Sequence, residues 1–569
     1  MIADHLILGG GSAGCVLAAR LSEDPNRRVI LVEAGRDISA VDMPDAIRSR
    51  YPGRAYLDTN NIWVKLKARM GGSGQNHDSR TSRRYEQAKI LGGGSAINAL
   101  MANRGAPTDY DEWERLGAQG WNWENCLPYF RKIEADRDFS GPLHGHDGPI
   151  SIRRIDDKSI SPFVDRVMHT IDKNGWPIGE DQNGEWRDGT YRGAIAVSDN
   201  GERLPTSVAY LTDEVRKRTN LKIMTGFTAV KVTFDEKRAT GAIIRSNNRN
   251  TGDIKLDANE VIISSGAIHS PALLMRSGIG PGQHLKSLEI PVVHALAGVG
   301  QNLMEHPSIA VAAYLPPTAR NRDALEHHEQ AIWRYSSNLP GTPSGDMHAA
   351  ILARSGWHSV GNRIGSLFFW VNKSYSRGAV SLSASDAYAE PDVDFRMLND
   401  ERDLKRLKDA VRKGSTILSD PNMREFAGTV FPSSYTPRVA NVATPGTWNA
   451  FQRGTLSAIL DAAGPLRTVL VHTVITSGIS IKSLLEDDAE LTSFVRQHVG
   501  GTWHPSGTCR MGAADDPLSV TDACGKVHGI DGLRVCDASL MPVIPCANTN
   551  IPTIMIAERV ADMIKVKIS

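Results

Sequence analysis

Three glycines near the amino terminus constrain the fold of this chain more than any other feature. The apolar run at residues 5–8 is followed by Gly9, Gly11 and Gly14, spaced as GxGxxG, and residues 15–21 continue with apolar and small side chains at helical spacing. The pattern predicts a strand, a tight turn and a helix. Because glycine has no Cβ, these positions allow the turn, the close approach of a pyrophosphate, and close packing of the helix.

A second strand and an acidic residue complete the pattern. Residues 29–32 (Val-Ile-Leu-Val) predict a buried strand that ends at Glu33, 19 positions after Gly14. In dinucleotide-binding units an acidic residue at roughly this distance accepts hydrogen bonds from a ribose and disfavours a 2′-phosphate. We therefore predict a Rossmann-like α/β unit that binds NAD or FAD.

The same turn also satisfies a competing motif. Residues 10–14 read Gly-Gly-Ser-Ala-Gly, the GxSxG pattern that places a nucleophilic serine, here Ser12, at a strand-to-helix turn of a hydrolase. In that fold one oxyanion donor comes from a loop after an earlier strand. Only the strand at residues 5–8 precedes Ser12, so the hydrolase interpretation is disfavoured.

Length, charge and cysteine content narrow the class of protein. The 569 residues exceed a single core, and 65 basic against 64 acidic side chains, without a long run of one sign, give no indication of a nucleic-acid partner. The most apolar long stretch, residues 457–481, is interrupted by Asp461, Arg467 and His472, so no membrane span is predicted. Six cysteines without a CxxC pair, and no visible export signal, predict a cytoplasmic protein.

Further segments combine glycine-rich turns with polar side chains suited to catalysis. They are residues 85–103, 260–280, 500–512, 533–542 and 547–559. Together with the amino-terminal turn they resemble, in order, the glucose-methanol-choline (GMC) oxidoreductases, flavoproteins that oxidise alcohols. The resemblance runs from residue 5 to residue 562. Residues 84–130 and 368–373 are most similar to family members that oxidise aryl and furanic alcohols.

The resemblance implies FAD as the cofactor. Carried over position by position, the cofactor-binding residues are Gly9, Gly11, Ser12, Ala13, Gly14, Glu33, Ala34, Trp63, Ile90, Gly94, Asn98, Ala99, Leu100, Met101, Val230, Trp503, Asp537, Ala538 and Asn548. Ser12 then lies at the pyrophosphate, Glu33 at the ribose and Val230 on the adenine side. The position that carries a flavin-linked histidine in choline oxidase is Ile97 here, so non-covalent FAD is expected.

Alcohol oxidation by hydride transfer needs a base beside the flavin to take the hydroxyl proton. His504 occupies the family's catalytic position, and a histidine has an ordinary pKa of about 6.5. Asn548 occupies the position of the second catalytic group, where its amide would orient the substrate oxygen. Phe368 and Trp370 are predicted to form the substrate wall, because aromatic faces suit a flat ring, although core packing explains them equally well.

The motif positions predict two discontinuous domains. Residues 1–150, 211–305 and 491–569 are assigned to a Rossmann-like FAD-binding domain. Residues 151–210 and 306–490 are assigned to a substrate domain with a mostly antiparallel sheet, as in the GMC fold. The polar, proline-containing region at residues 318–347 predicts a long loop that serves as a lid.

The hypothesis is an FAD-dependent oxidase of primary aromatic or furanic alcohols that reduces O2 to hydrogen peroxide and continues, through the hydrated aldehyde, to the acid. One alternative is a dehydrogenase that passes electrons to a quinone or another carrier. A second is a redox-silent member that resembles hydroxynitrile lyases. His144 and His146 invite a metal site, but no third ligand at a recognisable spacing accompanies them, so no metal is predicted.

Overall fold

The predicted strand, turn, helix and strand open the fold. The structure, a computed structural model, describes residues 2–49, 51–71, 82–248, 252–323, 326–433, 442, 444–476 and 478–566. Ala3–Leu8 and Val29–Glu33 are parallel neighbours, and the helix Ser12–Leu21 connects them. Both strands are buried on both faces, which explains their nearly continuous apolar sequences. The prediction for this segment is confirmed.

These two strands lie inside a seven-stranded sheet. In spatial order its strands are Phe227–Asp235, Arg238–Ser246, Ile254–Ile263, Ala3–Leu8, Val29–Glu33 and Leu221–Thr225, and Leu533–Val535 pairs with Ile254–Ile263. The strands from Ile254–Ile263 to Leu221–Thr225 are parallel, and the two at the edge are antiparallel. Distant parts of the chain therefore meet at the carboxyl ends of the parallel strands, where ligands of such sheets bind.

A second large sheet is antiparallel throughout. In spatial order its strands are Val430–Pro432, Ser308–Tyr314, Ile364–Val371, Met347–Leu352, Glu329–Tyr335 and Gly189–Arg192. Its apolar residues form a core with the helices Pro162–Lys173 and Glu401–Leu418. This sheet and the parallel sheet confirm the predicted fold class, while the domain boundaries stay a prediction.

Smaller sheets and helices complete the fold. Lys67–Gly71, Arg83–Arg84, Ala379–Ser381 and Asp392–Met397 form one sheet, Glu134–Asp136, Ile150–Arg154 and Ala194–Ala196 another, and Ile279–Gly280 pairs with His294–Ala295. The α-helices are Ser12–Leu21, Asp45–Arg48, Pro107–Arg115, Trp123–Ile133, Pro162–Lys173, Thr206–Ala209, Asp213–Arg216, Gly266–Arg276, Gly282–Ser287, Glu401–Leu418, Thr447–Ala462, Arg467–Leu470, Ile481–Glu486, Asp488–His498 and Asn550–Val566. Within the described ranges, no helix combines the length and apolar character that crossing a membrane requires.

The expected loop at residues 318–347 is wrong in its central part. Residues 329–335 form a buried strand between two neighbours of the antiparallel sheet. The sequence Glu-Gln-Ala-Ile-Trp-Arg-Tyr hides this strand, because three of its buried residues are polar or charged. Burial of such residues is stabilised by tertiary partners, as where Arg334 donates to the backbone oxygen of Gln182.

Candidate active site

A large cavity connects the two main sheets. Its volume is about 870 Å³, and it extends from the glycine turn to the irregular segment at residues 500–505. Of the predicted cofactor residues, Gly9, Gly11, Ser12, Ala13, Glu33, Ala34, Trp63, Ile90, Gly94, Asn98, Ala99, Met101, Trp503, Asp537, Ala538 and Asn548 line it. His504, Phe368 and Trp370 line it as well. Gly14, Leu100 and Val230 do not line the cavity. Their assigned roles in cofactor binding stay predictions.

The amino-terminal turn is suited to a nucleotide. The helix Ser12–Leu21 starts beside the cavity, and among the described residues no side chain caps its first amides. Such a helix start attracts an anionic pyrophosphate. The Glu33 carboxylate accepts hydrogen bonds from the backbone amides of Gly10 at 2.8 Å and Gly35 at 2.6 Å, which hold it at the cavity wall. Gly14 packs against the backbone of Gly9, because a Cβ on Gly14 would lie 1.9 Å from the Gly9 oxygen.

A second glycine turn leaves space for the FAD that the resemblance implies. Gly93 has φ +54°, and a Cβ on it would lie 2.6 Å from the Cα of Gly11. A Cβ on the next residue, Gly94, would meet no atom of the described residues within 4 Å, and Gly94 lines the cavity. The residues present therefore fit a bound dinucleotide: two glycine turns approach closely, and open space lies between them and the sheet. Both Gly93 and Gly94 belong to the short helical turn Gly93–Ala96.

Aromatic and acidic groups line the middle of the cavity. The Trp63 ring lies 4.6 Å from the His269 ring, and the Lys89 ammonium lies 4.7 Å from the Trp63 centroid. The Asp537 carboxylate accepts from the Gly266 amide at 2.9 Å and from the Ser270 hydroxyl at 2.5 Å. These contacts fix side chains that the resemblance assigns to the cofactor.

His504 lies at the far end of the cavity and is 8% exposed. Its backbone amide donates to both carboxylate oxygens of Glu305, at 3.0 and 2.9 Å. The preceding residue, Trp503, has φ +60°, a conformation that costs energy for a non-glycine residue and is typical of functional sites. Burial lowers the pKa of His504 to about 3, so the imidazole is neutral at ordinary pH. This differs from the pKa of about 6.5 that suggested the residue.

The neighbours of His504 determine which nitrogen holds the proton. Nε2 of His306 lies 3.2 Å from the Pro545 carbonyl oxygen, and burial holds the pKa of His306 well below its ordinary value. Neutral His306 therefore carries its proton on Nε2 and accepts at Nδ1, which lies 3.0 Å from Nδ1 of His504. The Thr502 hydroxyl, which donates to Glu305, accepts from the same Nδ1 at 2.8 Å. His504 thus holds its proton on Nδ1 and its lone pair on Nε2.

Asn548 lies against that lone pair. Its Nδ2 is 3.2 Å from Nε2 of His504, and its Oδ1 accepts a hydrogen bond from the Asn103 side-chain amide. Asn103 thereby sets the orientation of the Asn548 amide. The structure brings the two predicted catalytic residues together on the cavity lining, with Nε2 of His504 against the Asn548 amide.

The sequence analysis missed the supporting residues of this site. Glu305, His306, Thr502, Tyr85 and Asn103 were not among the predicted site residues. Burial raises the pKa of Glu305, and the hydrogen bonds that it accepts from Tyr85, His306, His504 and Thr502 oppose that rise. The sequence did contain a signal for two of them. Glu305 and His306 directly precede the buried apolar strand Ser308–Tyr314, and ionisable side chains are rarely buried unless they have partners.

The antiparallel sheet forms the wall opposite. Trp370 stacks on His348, with ring centroids 4.0 Å apart and planes at 18°, and Phe368 lies 5.9 Å from Trp370. The Trp370 indole donates to Asn372 at 3.2 Å. Since Phe368 and Trp370 line the cavity, both contribute an aromatic surface there.

A second acidic cluster surrounds His144. One ligand atom each of Glu134, Asp136 and His144 lie within 4.8 Å of one another, so possible partners exist that the spacing did not reveal. Burial alone lowers the pKa of His144, but hydrogen bonds to Asp136, Asp181 and Glu134 raise it to about 10. Arg154 contacts Asp136 at 3.0 Å. In the structure His144, Arg154 and these acidic side chains form an ion-pair network.

The fold and the cavity are those of a dinucleotide-dependent oxidoreductase, with a buried histidine on the cavity lining. Residues 3–308 and 374–557 match the amino- and carboxyl-terminal models of GMC oxidoreductase. The chain belongs to the GMC oxidoreductase family, and it is an FAD-dependent enzyme that acts on alcohols.

Individual relatives span nearly the whole chain. The chain is 38% identical to 5-(hydroxymethyl)furfural oxidase of Methylovorus sp. (strain MP688), with 99% of this chain and 98% of that one covered. It is 32% identical to oxygen-dependent choline dehydrogenase 1 of Chromohalobacter salexigens, over 99% and 94% of the two chains. Among solved structures, pyridoxine 4-oxidase from Mesorbium loti is similar with TM-score 0.80, 25% identity and 99% of both chains covered. A fungal aryl-alcohol oxidase has the same fold, with TM-score 0.74, 21% identity, and 100% and 99% of the two chains covered.

Proposed function

We propose that this enzyme oxidises primary alcohols attached to aromatic or furan rings, with O2 as electron acceptor and hydrogen peroxide as product. The observation that carries the proposal is the unprotonated Nε2 of His504 beside Asn548, in a cavity whose wall includes aromatic side chains. The similarity to a protein named 5-(hydroxymethyl)furfural oxidase supports the furanic class. Trp370 and Phe368 support a flat ring.

The reaction divides between the cofactor and this chain. When bound, the flavin supplies the hydride acceptor. His504 accepts the hydroxyl proton at Nε2, and its Nδ1–H stays hydrogen-bonded to Thr502 and His306. When the substrate binds, the Asn548 amide donates its hydrogen bond to the substrate oxygen instead of to Nε2 of His504. This hydrogen bond orients the carbinol carbon. A hydrated aldehyde offers the same hydroxyl group, so the site accepts a second oxidation to the acid.

Non-covalent attachment of FAD is part of the proposal. Ile97, at the position of the linked histidine in some members, lines the cavity with a hydrocarbon side chain that has no atom to form the link. Acid precipitation of the holoenzyme is expected to release the yellow flavin into the supernatant. Flavin that stays with the precipitate contradicts this assignment.

Anaerobic flavin reduction tests the function. Benzyl alcohol or 5-(hydroxymethyl)furfural should bleach the yellow holoenzyme, and His504→Ala should slow bleaching by about 10²–10⁴-fold, the usual contribution of a general base. His169→Ala, on a side chain that is 57% exposed, is the matched control. If both variants bleach equally fast, His504 is not the base.

Admission of air distinguishes the alternatives. Recolouring with one peroxide per alcohol, or two when the acid forms, supports the oxidase. Bleached enzyme that recolours only with a quinone identifies a dehydrogenase. No bleaching by any alcohol favours the redox-silent lyase.

A further inference from the structure

One oxygen of a buried carboxyl group on the cavity wall has no hydrogen-bond partner among the described residues. Glu329 begins the strand Glu329–Tyr335, lines the cavity and is 5% exposed. In the described part of the chain no group forms a hydrogen bond to its Oε1, and no charged side chain offsets its burial, which raises the pKa of Glu329 to about 8. Leaving a buried polar group unpaired costs about 1–3 kcal/mol. An unpaired group on a cavity wall therefore indicates a position where a ligand supplies the hydrogen bond.

The backbone around Glu329 holds it in a defined place. The pairing of the two strands shifts in register between Glu329 and Ala331, and register shifts of the β-bulge kind redirect side chains beside active sites. The His327 ring lies between two backbone oxygens, 2.7 Å from that of Glu329 and 2.7 Å from that of Ala99. Glu329 is thereby tied to the segment that is predicted to line the flavin.

Glu329 lies far along the sheet from the base. It pairs with Leu352, whereas His348, four residues earlier on the same strand, stacks on Trp370 and interacts electrostatically with His504. At about 3.3 Å per residue, the backbones of His348 and Leu352 are ~13 Å apart along the strand. Leu352, Ser366 and Phe368 line the cavity between them. A ligand that reaches both ends is extended, with its flat part against this strip.

We propose that Glu329 binds a hydroxyl group at the end of the substrate remote from the oxidised carbon, so that aromatic and furanic diols are preferred substrates. This inference rests on the proposed function. A hydroxyl group both donates and accepts, so it satisfies the carboxyl in either protonation state, whereas a methyl group leaves it unpaired. A small cationic alcohol such as choline, reacting at His504, is too short to reach Glu329.

Matched alcohols test the proposal on the holoenzyme. The kcat/KM for para-(hydroxymethyl)benzyl alcohol, halved for its two equivalent ends, is compared with that for para-methylbenzyl alcohol. We expect a preference of about tenfold or more for the diol, because the methyl compound leaves a buried carboxyl unpaired. Glu329→Leu should lower this ratio by about tenfold, mainly through KM, and Glu329→Gln, which keeps a donor and an acceptor, should retain most of it. Glu180→Leu, on an exposed acid, is the control and should keep the ratio.

The remaining outcomes either contradict the proposal or require a measurement of diol binding. Equal rates on both alcohols overturn the diol preference and leave the proposed function standing. Faster oxidation of choline than of the diol contradicts both the diol preference and the proposed aromatic or furanic substrate class. Loss of bound FAD from both Glu329 variants shows that the carboxyl contacts the cofactor instead and overturns the proposal. If neither benzyl alcohol reduces the flavin, the proposed function fails. The Kd of the diol, from changes in flavin absorbance, then decides: weaker binding by Glu329→Leu than by wild type supports the site, and equal binding overturns it.

Discussion

Substitution of His306 separates a role in catalysis from a role in stability. The ring makes two hydrogen bonds of different purpose: Nδ1 accepts from His504, and Nε2 donates to the Pro545 oxygen. Asparagine places an acceptor oxygen near the position of Nδ1, and glutamine reaches the position of Nε2 with a donor. The two variants therefore each preserve one of the two contacts.

The structure sets the size of the expected effects. His306→Gln removes one neutral hydrogen bond from the base, while Thr502 still accepts from the same Nδ1 at 2.8 Å. A loss of about 1 kcal/mol corresponds to roughly fivefold slower flavin reduction. His306→Asn should keep the rate within about twofold of wild type but lose the hydrogen bond to the Pro545 oxygen, which still accepts from the Ala547 amide at 2.7 Å, so we expect a cost of about 1 kcal/mol of unfolding free energy.

Two measurements on each variant check this reasoning. Anaerobic stopped-flow absorbance gives the rate constant of flavin reduction at saturating alcohol, and denaturant unfolding gives the stability. The combination of His306→Gln with Thr502→Val removes both acceptors, and we expect a loss larger than the product of the single effects, because the proton is then free to move to Nε2. Equal rates in the Asn and Gln variants would refute the proton arrangement assigned to His504.

Two further predictions concern the cofactor turn and pH. Gly93→Ala should destabilise the protein, because its Cβ would lie 2.6 Å from the Cα of Gly11 at a positive φ, whereas Gly94→Ala should fold normally but bind less FAD; thermal unfolding and flavin absorbance per protein check both. Because the pKa of His504 is about 3 in the folded state and about 6.5 when unfolded, the unfolded chain binds more protons between these values, so this group's contribution to stability is lost as pH falls from 6.5 towards 3. For the same reason flavin reduction should stay level down to about pH 5, and a rate profile with an acid limb centred near 6.5 would contradict the neutral, buried base.

The amino-terminal unit was predictable because its signals are local. Strand, turn and helix at residues 3–21 follow from the spacing of Gly9, Gly11 and Gly14, which any fold of this turn must satisfy. The resemblance identified His504 and Asn548 separately, each from its own segment. In the structure Nε2 of His504 and Nδ2 of Asn548 lie 3.2 Å apart. Their catalytic roles stay predictions until the variants are measured.

Tertiary structure alone decided the protonation of the base and the far wall of the cavity. His306 and His504 are 198 positions apart, and Asn103 and Asn548 are 445 apart, so no local pattern indicates either contact. The strand that carries Glu329 was expected to be a loop, because its sequence is polar and the partners of Gln330 and Arg334 lie elsewhere in the chain. Local sequence determined where the nucleotide turn forms, since backbone sterics act over a few residues. Burial determined what the site can do, since desolvation and hydrogen bonding depend on groups that only the complete fold brings together.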